Sequence, residues 1–312
     1  MSELHIYYHR DFDGMAAAAM LAEALVECRD EVGPTWSGVN FDRTLDWDQF
    51  GLGERFAVVD FHYHPRAEYW FDHHPTTFLR AEDQRRYQDD EQHRFDPTAL
   101  SCPPIIAEHA RTRWGWDPPA RFAELVHWSN VIDAAQYSNA DQALFGREPA
   151  LRIARALTTS PGFDFNDRIV ALLRRYDLIQ IAADEEVDRC HRRAERNRDE
   201  AIESFPSAMV VRSAHALLAD LRSKKIRRER FAPFYLYPEL HYAVTLIPTR
   251  AGPHITVASN PWNRPSNDLH LGNALKEYGG GGHKGVAGVN PPDETTALRW
   301  GRELYERVST LT

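Results

Sequence analysis

Residues 5–26 read HIYYHRDFDGMAAAAMLAEALV, and they predict the first strand, the first helix and a polar segment between them. Residues 5–8 are typical of a short buried strand, and the alanine- and leucine-rich residues 15–26 are typical of a helix. In open α/β sheets, ligands bind beyond the carboxyl ends of the strands. The intervening HRDFDG segment therefore lies where a site is expected.

Three side chains of this segment, His9, Asp11 and Asp13, carry groups that can bind a metal ion or a substrate. Their alternate spacing in an extended loop would let the three groups converge on neighbouring points. Gly14 would then allow a tight turn into the helix. The alternative interpretation is an N-cap aspartate beside a surface histidine, and the segment alone leaves both open.

The rest of the chain predicts an α/β protein with two domains. Alternating strands and helices in the N-terminal part favour a parallel sheet. A charge-rich helical connector at residues 164–204 would join it to a smaller α+β module, so we expect domains at residues 1–190 and 205–312. The predicted strands are residues 56–61, 69–71, 209–214, 241–248 and 253–259, and the further predicted helices are residues 103–114, 122–132, 269–278 and 295–310.

Composition restricts the class of protein. The 312 residues are 43% hydrophobic and 27% charged, which is ordinary for a globular protein that needs no metal for folding. The net charge of -9 argues against long duplex DNA as a partner but not against a small phosphate ligand, because bound metal ions would reverse the local field. Three distant cysteines and the lack of a leader or spanning pattern predict a cytoplasmic protein with no membrane partner.

Five more carboxylate and imidazole positions stand out. Asp60 ends the apolar run FAVVD, where a charge is costly unless it is paired or bound to a metal. Asp72, His73 and His74 form a triplet in which the carboxylate can orient an imidazole. Asp133 follows an apolar helical face and would be unremarkable alone. Together with the HRDFDG segment, these residues predict a metal site at the strand ends.

The glycine-rich segment at residues 279–285, GGGGHKG, is the last candidate. Consecutive glycines leave backbone N–H groups open, so Gly280, Gly281 and Gly282 are predicted to form an anion-binding nest. His283 and Lys284 would add donors and positive charge suited to a phosphate. A flexible linker is the alternative, but linkers usually carry serine and polar residues.

These motifs, in this order, resemble the DHH phosphoesterase superfamily in the branch with a DHH-associated C-terminal domain. That branch includes proteins of the nanoRNase, bisphosphate-nucleotide phosphatase and exopolyphosphatase-like types. HRDFDG, VVDF, FDHH and VID resemble its four N-terminal motifs, and GGGGHKGVAG resembles its C-terminal signature. The resemblance covers nearly the whole chain and implies two Mn²⁺ ions, with Mg²⁺ as the alternative.

The resemblance also implies a role for each motif residue. His9, Asp11 and Asp60 would hold one ion, and Asp60 would bridge to the second. His74 would face the substrate phosphate, with Asp72 supporting it. The implied ligands of the second ion are Asp13, Asp60, His73 and Asp133.

The sequence departs from this family where many members carry a substrate-binding arginine. The corresponding segment here reads ITVASNPWNR, so Asn260, Arg250 and Arg264 are candidates to replace that arginine. Trp262 is a candidate for stacking on a base. The basic run RSKKIRRER at residues 222–230 would either extend a substrate groove or form a solvated helix face.

The function that these observations predict is hydrolysis of a small phosphate substrate by metal-activated water. Short oligoribonucleotides, including short single-stranded RNA, linear dinucleotides and nucleoside bisphosphates are the favoured substrates. A polyphosphate or pyrophosphate hydrolase and a non-catalytic phosphate sensor are the alternatives. The sequence leaves the oligomeric state open, with a homodimer among the options.

Overall fold

The computed structural model describes residues 3–40, 46–51, 53–222, 226–249 and 251–311. The chain divides into two compact units. The first comprises Met1–Gln136 and Arg147–Ala194, and the second comprises Tyr137–Gly146 and Glu195–Thr312. Within the described ranges, no helix is both long and apolar enough to cross a bilayer. The functional division at residues 1–190 and 205–312 stays a prediction.

The first unit contains a five-stranded parallel sheet in the order β2-β1-β3-β4-β5. Its strands are β1 Leu4–His9, β2 Thr35–Val39, β3 Arg55–Val59, β4 Tyr69–Asp72 and β5 His93–Phe95. The central strands are almost wholly apolar and buried, which is the pattern of a sheet covered on both faces. The predicted parallel α/β sheet is confirmed, and the short strands β2 and β5 were not predicted.

Up to residue 204 the chain forms the helices α1 Phe12–Cys28, α2 Ala81–Arg86, α3 Cys102–His109, α4 Arg121–Asp133, α5 Ala140–Phe145, α6 Pro149–Leu157, α7 Phe163–Leu173, α8 Leu178–Ala182 and α9 Glu185–Ser204. Helix α5 belongs to the second unit, and α9 crosses the division between the two units. A π-helical turn, Ala110–Trp114, extends α3. Helix α1 is buried almost throughout, and its alanines let α3, α4 and α7 pack closely around it.

The second unit contains a mixed six-stranded sheet in the order β10-β11-β9-β8-β7-β6. Its elements are β6 Met209–Arg212, β7 Ala216–Asp220, α10 Ala232–Leu236, β8 Tyr242–Thr249, β9 Gly252–Ser259, α11 Leu271–Ala274, β10 Gly281–Gly282, β11 Val286–Val289 and α12 Glu294–Ser309. Helix α12 packs on β7, β8 and β9 and closes an aliphatic core.

Two predicted elements differ from the structure. The helix predicted at residues 269–278 is the short α11 followed by a 3-10 turn, Lys276–Tyr278, because the chain must turn there into β10. The first helix begins at Phe12 and not at residue 15, so Asp13 and Gly14 belong to its first turn. The segment expected to be an extended loop is therefore only two residues long.

Candidate metal centre

The sheet register brings the predicted ligands of the first unit together. Tyr8 pairs with Val59, and Val59 pairs with Phe71, so β1, β3 and β4 end at the same edge of the sheet. His9, Asp60 and Asp72 follow these three paired positions directly. Because the strands are parallel neighbours, their carboxyl ends place the three side chains within reach of one another.

Helix α1 contributes Asp11 and Asp13 in two different ways. Asp11 is the N-cap residue, and its Oδ1 accepts a hydrogen bond of 2.9 Å from the N–H of Gly14. Asp11 therefore caps the helix, as one interpretation predicted, and it also lies beside His9, where its role as a ligand stays a prediction. Gly14 serves close packing and not a turn, since a Cβ there would lie 2.2 Å from the carbonyl oxygen of His9.

Three overlapping groups of potential ligand atoms form within the described residues, and the atoms of each group lie within 4.8 Å of one another. Asp60 belongs to two of the groups, and His73 also belongs to two. The groups are His9, Asp11 and Asp60; Asp13, His73 and Asp133; and Asp60, Asp72, His73 and His74. The eight residues of the predicted metal and catalytic set are thus all in one place.

The centre of the cluster is His73, whose Nε2 faces three carboxylates. It lies 3.5 Å from Asp13 Oδ2, 3.4 Å from Asp60 Oδ1 and 3.6 Å from Asp133 Oδ2. At the opposite side of Asp60, its Oδ2 lies 3.6 Å from His9 Nδ1. Asp60 therefore separates two sets of groups and faces both of them.

Several of these buried atoms lack a hydrogen-bond partner among the described residues. They are Oδ1 of Asp13, both carboxylate oxygens of Asp60, Oδ2 of Asp72 and Nε2 of His73. Asp60 and Asp72 are wholly buried. A buried neutral polar group without a hydrogen bond costs on the order of 2–7 kcal/mol, and an unpaired ionised carboxylate costs more. Oxygen and imidazole donors without a thiolate suit Mn²⁺ or Mg²⁺. The donor set thus fits divalent cations.

Electrostatics in the cluster favour positive charge. Burial and the neighbouring carboxylates of Asp60 and Asp133 raise the pKa of Asp13 well above its usual value. Burial alone would lower the pKa of His9, but Asp11 and Asp60 outweigh it and raise this pKa to about 11. Protons accumulate where a negative field is strong, and the same field attracts metal ions.

The two adjacent histidines are oriented by different partners. The Nδ1 of His73 lies 3.3 Å from the carbonyl oxygen of Ala99, which can only accept, so Nδ1 carries the proton and Nε2 faces the carboxylates. The Nδ1 of His74 lies 2.8 Å from Asp72 Oδ1. Burial lowers the pKa of His74, but Asp72 and Asp60 outweigh it and raise this pKa to about 9. Asp72 thus orients and charges His74.

Another histidine near the sheet edge, His64, has a structural role. It is buried, its Nε2 lies 3.0 Å from the carbonyl oxygen of Trp47, and its Nδ1 accepts from the N–H of Arg66 at 3.1 Å. With both ring nitrogens engaged, His64 has no lone pair left for a metal ion.

The glycine-rich segment of the second unit is packed more tightly than an open nest. Gly281–Gly282 forms β10 and pairs with β11. The N–H of Gly280 donates to the carbonyl of Leu275, and the N–H of His283 donates to that of Val286. These two N–H groups are therefore not available to a phosphate, which corrects the expectation of an open backbone N–H at Gly280.

Close packing explains why two positions of this segment are occupied by glycine. A Cβ on Gly280 would lie 2.5 Å from the carbonyl oxygen of Gly288, and one on Gly282 would lie 2.6 Å from that of Val286. Gly281 meets nothing within 4 Å. Lys284 is exposed, and its Nζ lies 3.4 Å from Asp268 Oδ2. Gly281 and Lys284 therefore have room for a ligand, and so does Gly279, where a Cβ would also meet nothing within 4 Å.

Asn260 has a different environment from the one predicted. Its side chain is 1% exposed, its Nδ2 donates to the carbonyls of Pro238 and Leu240, and its Oδ1 accepts from the N–H of Trp262. All its polar groups are engaged, so the geometry favours a structural role over substrate contact. The indole N–H of Trp262 donates to the carbonyl of Tyr137.

Two arginines are the other candidates to replace the substrate-binding arginine of the family. Arg264 is exposed, and its guanidinium lies 3.7 Å from Asp268. Arg250 lies outside the described residues, and so do residues 223–225 of the basic run.

Sequence reasoning missed the backbone groups at the cluster, one of which is the carbonyl of Ala99 beside His73. The backbone N–H of Cys102 donates to Asp13 Oδ2 at 2.9 Å. A backbone donor has no side-chain signature, so only the contact itself reveals it.

Comparison with known proteins gives no match to a protein-family model and no match to a curated protein. Solved structures do match. The pGpG-specific phosphodiesterase PggH from Vibrio cholerae superposes with a TM-score of 0.69 at 16% identity, over 100% of both chains. The DHH domain of a protein from a family of ribosomal proteins has a TM-score of 0.60 at 14% identity, over 100% of this chain and 87% of the other.

The exonuclease RecJ bound to manganese is also similar, with a TM-score of 0.56 at 16% identity, over 99% of this chain and 90% of RecJ. At these low identities the likeness concerns the fold. The resemblance to the DHH superfamily is confirmed at that level.

Proposed function

Because the chain has the fold of the DHH superfamily, we propose that it is a divalent-metal-dependent phosphoesterase that hydrolyses small phosphate substrates. The observation that carries this proposal is Asp60. It is wholly buried, neither of its oxygens has a hydrogen-bond partner among the described residues, and it belongs to two adjacent ligand groups. A buried carboxylate is costly unless it is paired with or bound to positive charge, and the two ligand groups face Asp60 from either side.

The proposed ligands follow the geometry of the groups. His9, Asp11 and Asp60 would hold one Mn²⁺ or Mg²⁺ ion, and Asp13, His73 and Asp133 would complete the second site with Asp60 shared. When bound, such ions lower the pKa of a coordinated water and neutralise charge on a phosphoryl group. The number and identity of the ions are part of the proposal.

The chain's own residues position and polarise the substrate. His74, held by Asp72, would donate a hydrogen bond to an oxygen of the reacting phosphate, and this bond strengthens as charge develops on that oxygen. The water oxygen forms a bond to phosphorus, the bond to the leaving oxygen breaks, and the leaving group takes up a proton. No covalent intermediate with the protein is required.

For the substrate we propose short oligoribonucleotides, linear dinucleotides or nucleoside bisphosphates. The similarity to a pGpG phosphodiesterase along the whole chain supports a substrate of this size. Residues 205–312 would supply substrate contacts, with the exposed Lys284 and the unobstructed position of Gly281 as candidates within the glycine-rich segment.

A turnover screen with Mn²⁺ tests the proposal. Linear dinucleotides, nucleoside bisphosphates and polyphosphate are each incubated with the protein, and phosphate or nucleotide release is measured with and without a chelator. We expect chelator-sensitive hydrolysis that depends on the base. Base-independent release from polyphosphate would identify a phosphoanhydride hydrolase, and binding without release would identify a sensor.

A further inference from the structure

The segment of residues 96–102, DPTALSC, runs from the end of β5 into α3. Its hydrogen bonds reach β4, α1 and α4. The N–H of Asp96 donates to the carbonyl of Asp72 at 3.1 Å. The Sγ of Cys102 donates to the carbonyl of Phe71 at 3.3 Å. These two bonds fix the segment to β4, immediately before the adjacent histidines.

The first ligand that the segment reaches is Asp13. The N–H of Cys102 donates to its Oδ2, while its Oδ1 is buried without a hydrogen-bond partner among the described residues. Cys102 is the first residue of α3, where backbone N–H groups have no partner inside the helix and carry partial positive charge. One oxygen of Asp13 is thus fixed by the backbone, and the other is left for a ligand.

The second ligand is His73. The carbonyl of Ala99 accepts from its Nδ1, which sets the tautomer and points Nε2 at Asp13, Asp60 and Asp133. A hydrogen bond of this kind to the non-coordinating nitrogen typically orients a metal-bound imidazole and raises its basicity.

The third ligand, Asp133, is reached through its helix. Ser101 precedes α3 but makes no capping hydrogen bond with its side chain. Its buried hydroxyl instead donates to Asn130 Oδ1 at 2.7 Å. Asn130 lies three residues before Asp133 on α4, so the bond holds the last turn of that helix in place.

We propose that residues 99–102 form a brace that positions the group Asp13, His73 and Asp133, and so sets the affinity of one of the two metal ions. The contacts of the brace reach two members of this group directly and the helix of the third, whereas His9 and Asp11 of the other group contact each other. The inference rests on the proposed metal-dependent function and adds a selective effect on a single ion.

Cys102→Pro tests the brace, with Cys102→Ala as the matched control. Both variants lose the Sγ contact to Phe71, but only proline removes the N–H that binds Asp13. The backbone accepts proline at this position, because it is the first residue of α3 and Ser101 before it is extended, with φ of -162° and ψ of 170°.

The measurement is a Mn²⁺ titration of metal-free full-length protein, followed by calorimetry and by electron paramagnetic resonance. We expect Cys102→Pro to lower the affinity for one ion by about 10- to 100-fold relative to Cys102→Ala. The affinity for the other ion should change by less than about 3-fold. Ser101→Ala should lower the affinity for the same ion by a smaller factor. This variant tests the brace independently if the proline variant does not fold.

The possible results of the titration distinguish failure of the brace from failure of the proposed function. If wild-type protein binds two ions and Cys102→Pro binds both as Cys102→Ala does, the brace is refuted and the proposed function stands. Equal weakening of both ions, together with a lower melting temperature of the metal-free variant, would refute it as well, since the contact would then serve only the fold. If wild-type protein binds no Mn²⁺, the proposed function itself fails.

Discussion

The carboxylate and histidine cluster of the first unit and the glycine-rich segment of the second are equally prominent in the sequence, but they differ in how their polar groups are satisfied. At the cluster, buried oxygens of Asp13, Asp60 and Asp72 have no hydrogen-bond partner among the described residues. In the glycine-rich segment, the N–H groups of Gly280 and His283 are bonded within their own unit. Unsatisfied buried atoms indicate a ligand, whereas a glycine run can be required by packing alone.

The backbone shows the same contrast. Beside the cluster, positive φ angles are carried by residues with a side chain, namely Asp60 at 55° and Ala135 at 52°. In the glycine-rich segment they are carried by Gly279 at 75° and Gly282 at 140°. A side chain in the left-handed region costs about 1–3 kcal/mol and is typical of functional sites. At Asp60, the strained backbone coincides with a carboxylate of the cluster.

The largest effect is expected from Asp60→Asn. Asparagine keeps the shape and accepts the left-handed region, but it removes the charge that both ions would share. We expect Mn²⁺ binding and turnover to fall together by more than about 100-fold, beyond the loss typical of a supporting residue. Calorimetry and the turnover assay measure both quantities.

Asp30→Asn is the matched control for Asp60→Asn, because Asp30 has the same φ of 55° but is exposed and outside the ligand groups. Two Mn²⁺ ions bound with normal affinity by Asp60→Asn would contradict the shared-ligand assignment.

The next effect concerns His74→Ala, which should keep both ions but lose turnover by on the order of 100- to 1,000-fold, as for loss of one donor to a developing oxyanion. The reason is that the Nδ1 of His74 lies 2.8 Å from Asp72, closer than the 3.5 Å that separates it from Asp60. His62→Ala serves as the control, since His62 belongs to none of the ligand groups of the described residues. Loss of an ion with an unchanged rate per bound pair would mean that His73 and His74 have exchanged roles.

Gly280→Ala tests whether close packing requires a glycine at this position. The new Cβ would meet the carbonyl oxygen of Gly288 at 2.5 Å and the Cβ of Val289 at 2.8 Å, so the free energy of unfolding should fall by up to about 3 kcal/mol. Gly281→Ala has open space and should change stability by less than about 0.5 kcal/mol. Chemical denaturation measures both.

Substrate affinity of the Gly281→Ala variant sharpens the result. A loss of affinity at unchanged stability would locate phosphate binding at Gly281. Equal stability of the two variants would contradict the packing explanation of this segment.

Asn260→Ala separates a structural role from substrate binding. It leaves the carbonyls of Pro238 and Leu240 without the Asn260 amide, so we expect a loss of about 1–2 kcal/mol in unfolding free energy. Asn263→Ala, in the same loop but more exposed, should cost less. A raised KM for Asn260→Ala at full stability would restore the original prediction that Asn260 binds substrate.

Ala135→Gly is expected to have the smallest effect among the substitutions that are not controls. The N–H of Gln136 donates to the carbonyl of Val131, so Ala135 occupies the left-handed position that ends α4. Glycine should raise the unfolding free energy by roughly 0.5–1 kcal/mol, since the relief of strain exceeds its added chain entropy. Thermal unfolding of metal-free protein measures it, and a lower melting temperature would show that Ala135 is not strained.

The sequence alone determined the parallel α/β fold of the first unit and the set of polar residues at its strand ends. This was possible because apolar strands, a helix rich in alanine and strand-end carboxylates are local patterns, and parallel strands end at one edge of the sheet. The same reasoning placed Asp60 and His73 in a cluster without any knowledge of β2 or β5.

Only the tertiary structure decided which of these atoms are satisfied. The bond from Cys102 N–H to Asp13, the burial of Asn260 and the close approach of Gly280 to Gly288 join residues far apart or use backbone groups that have no side-chain signature. Local sequence indicates where a polar group lies along the chain. Whether it is left open to a ligand depends on the partners that distant segments bring to it, and those are set by packing and sheet register.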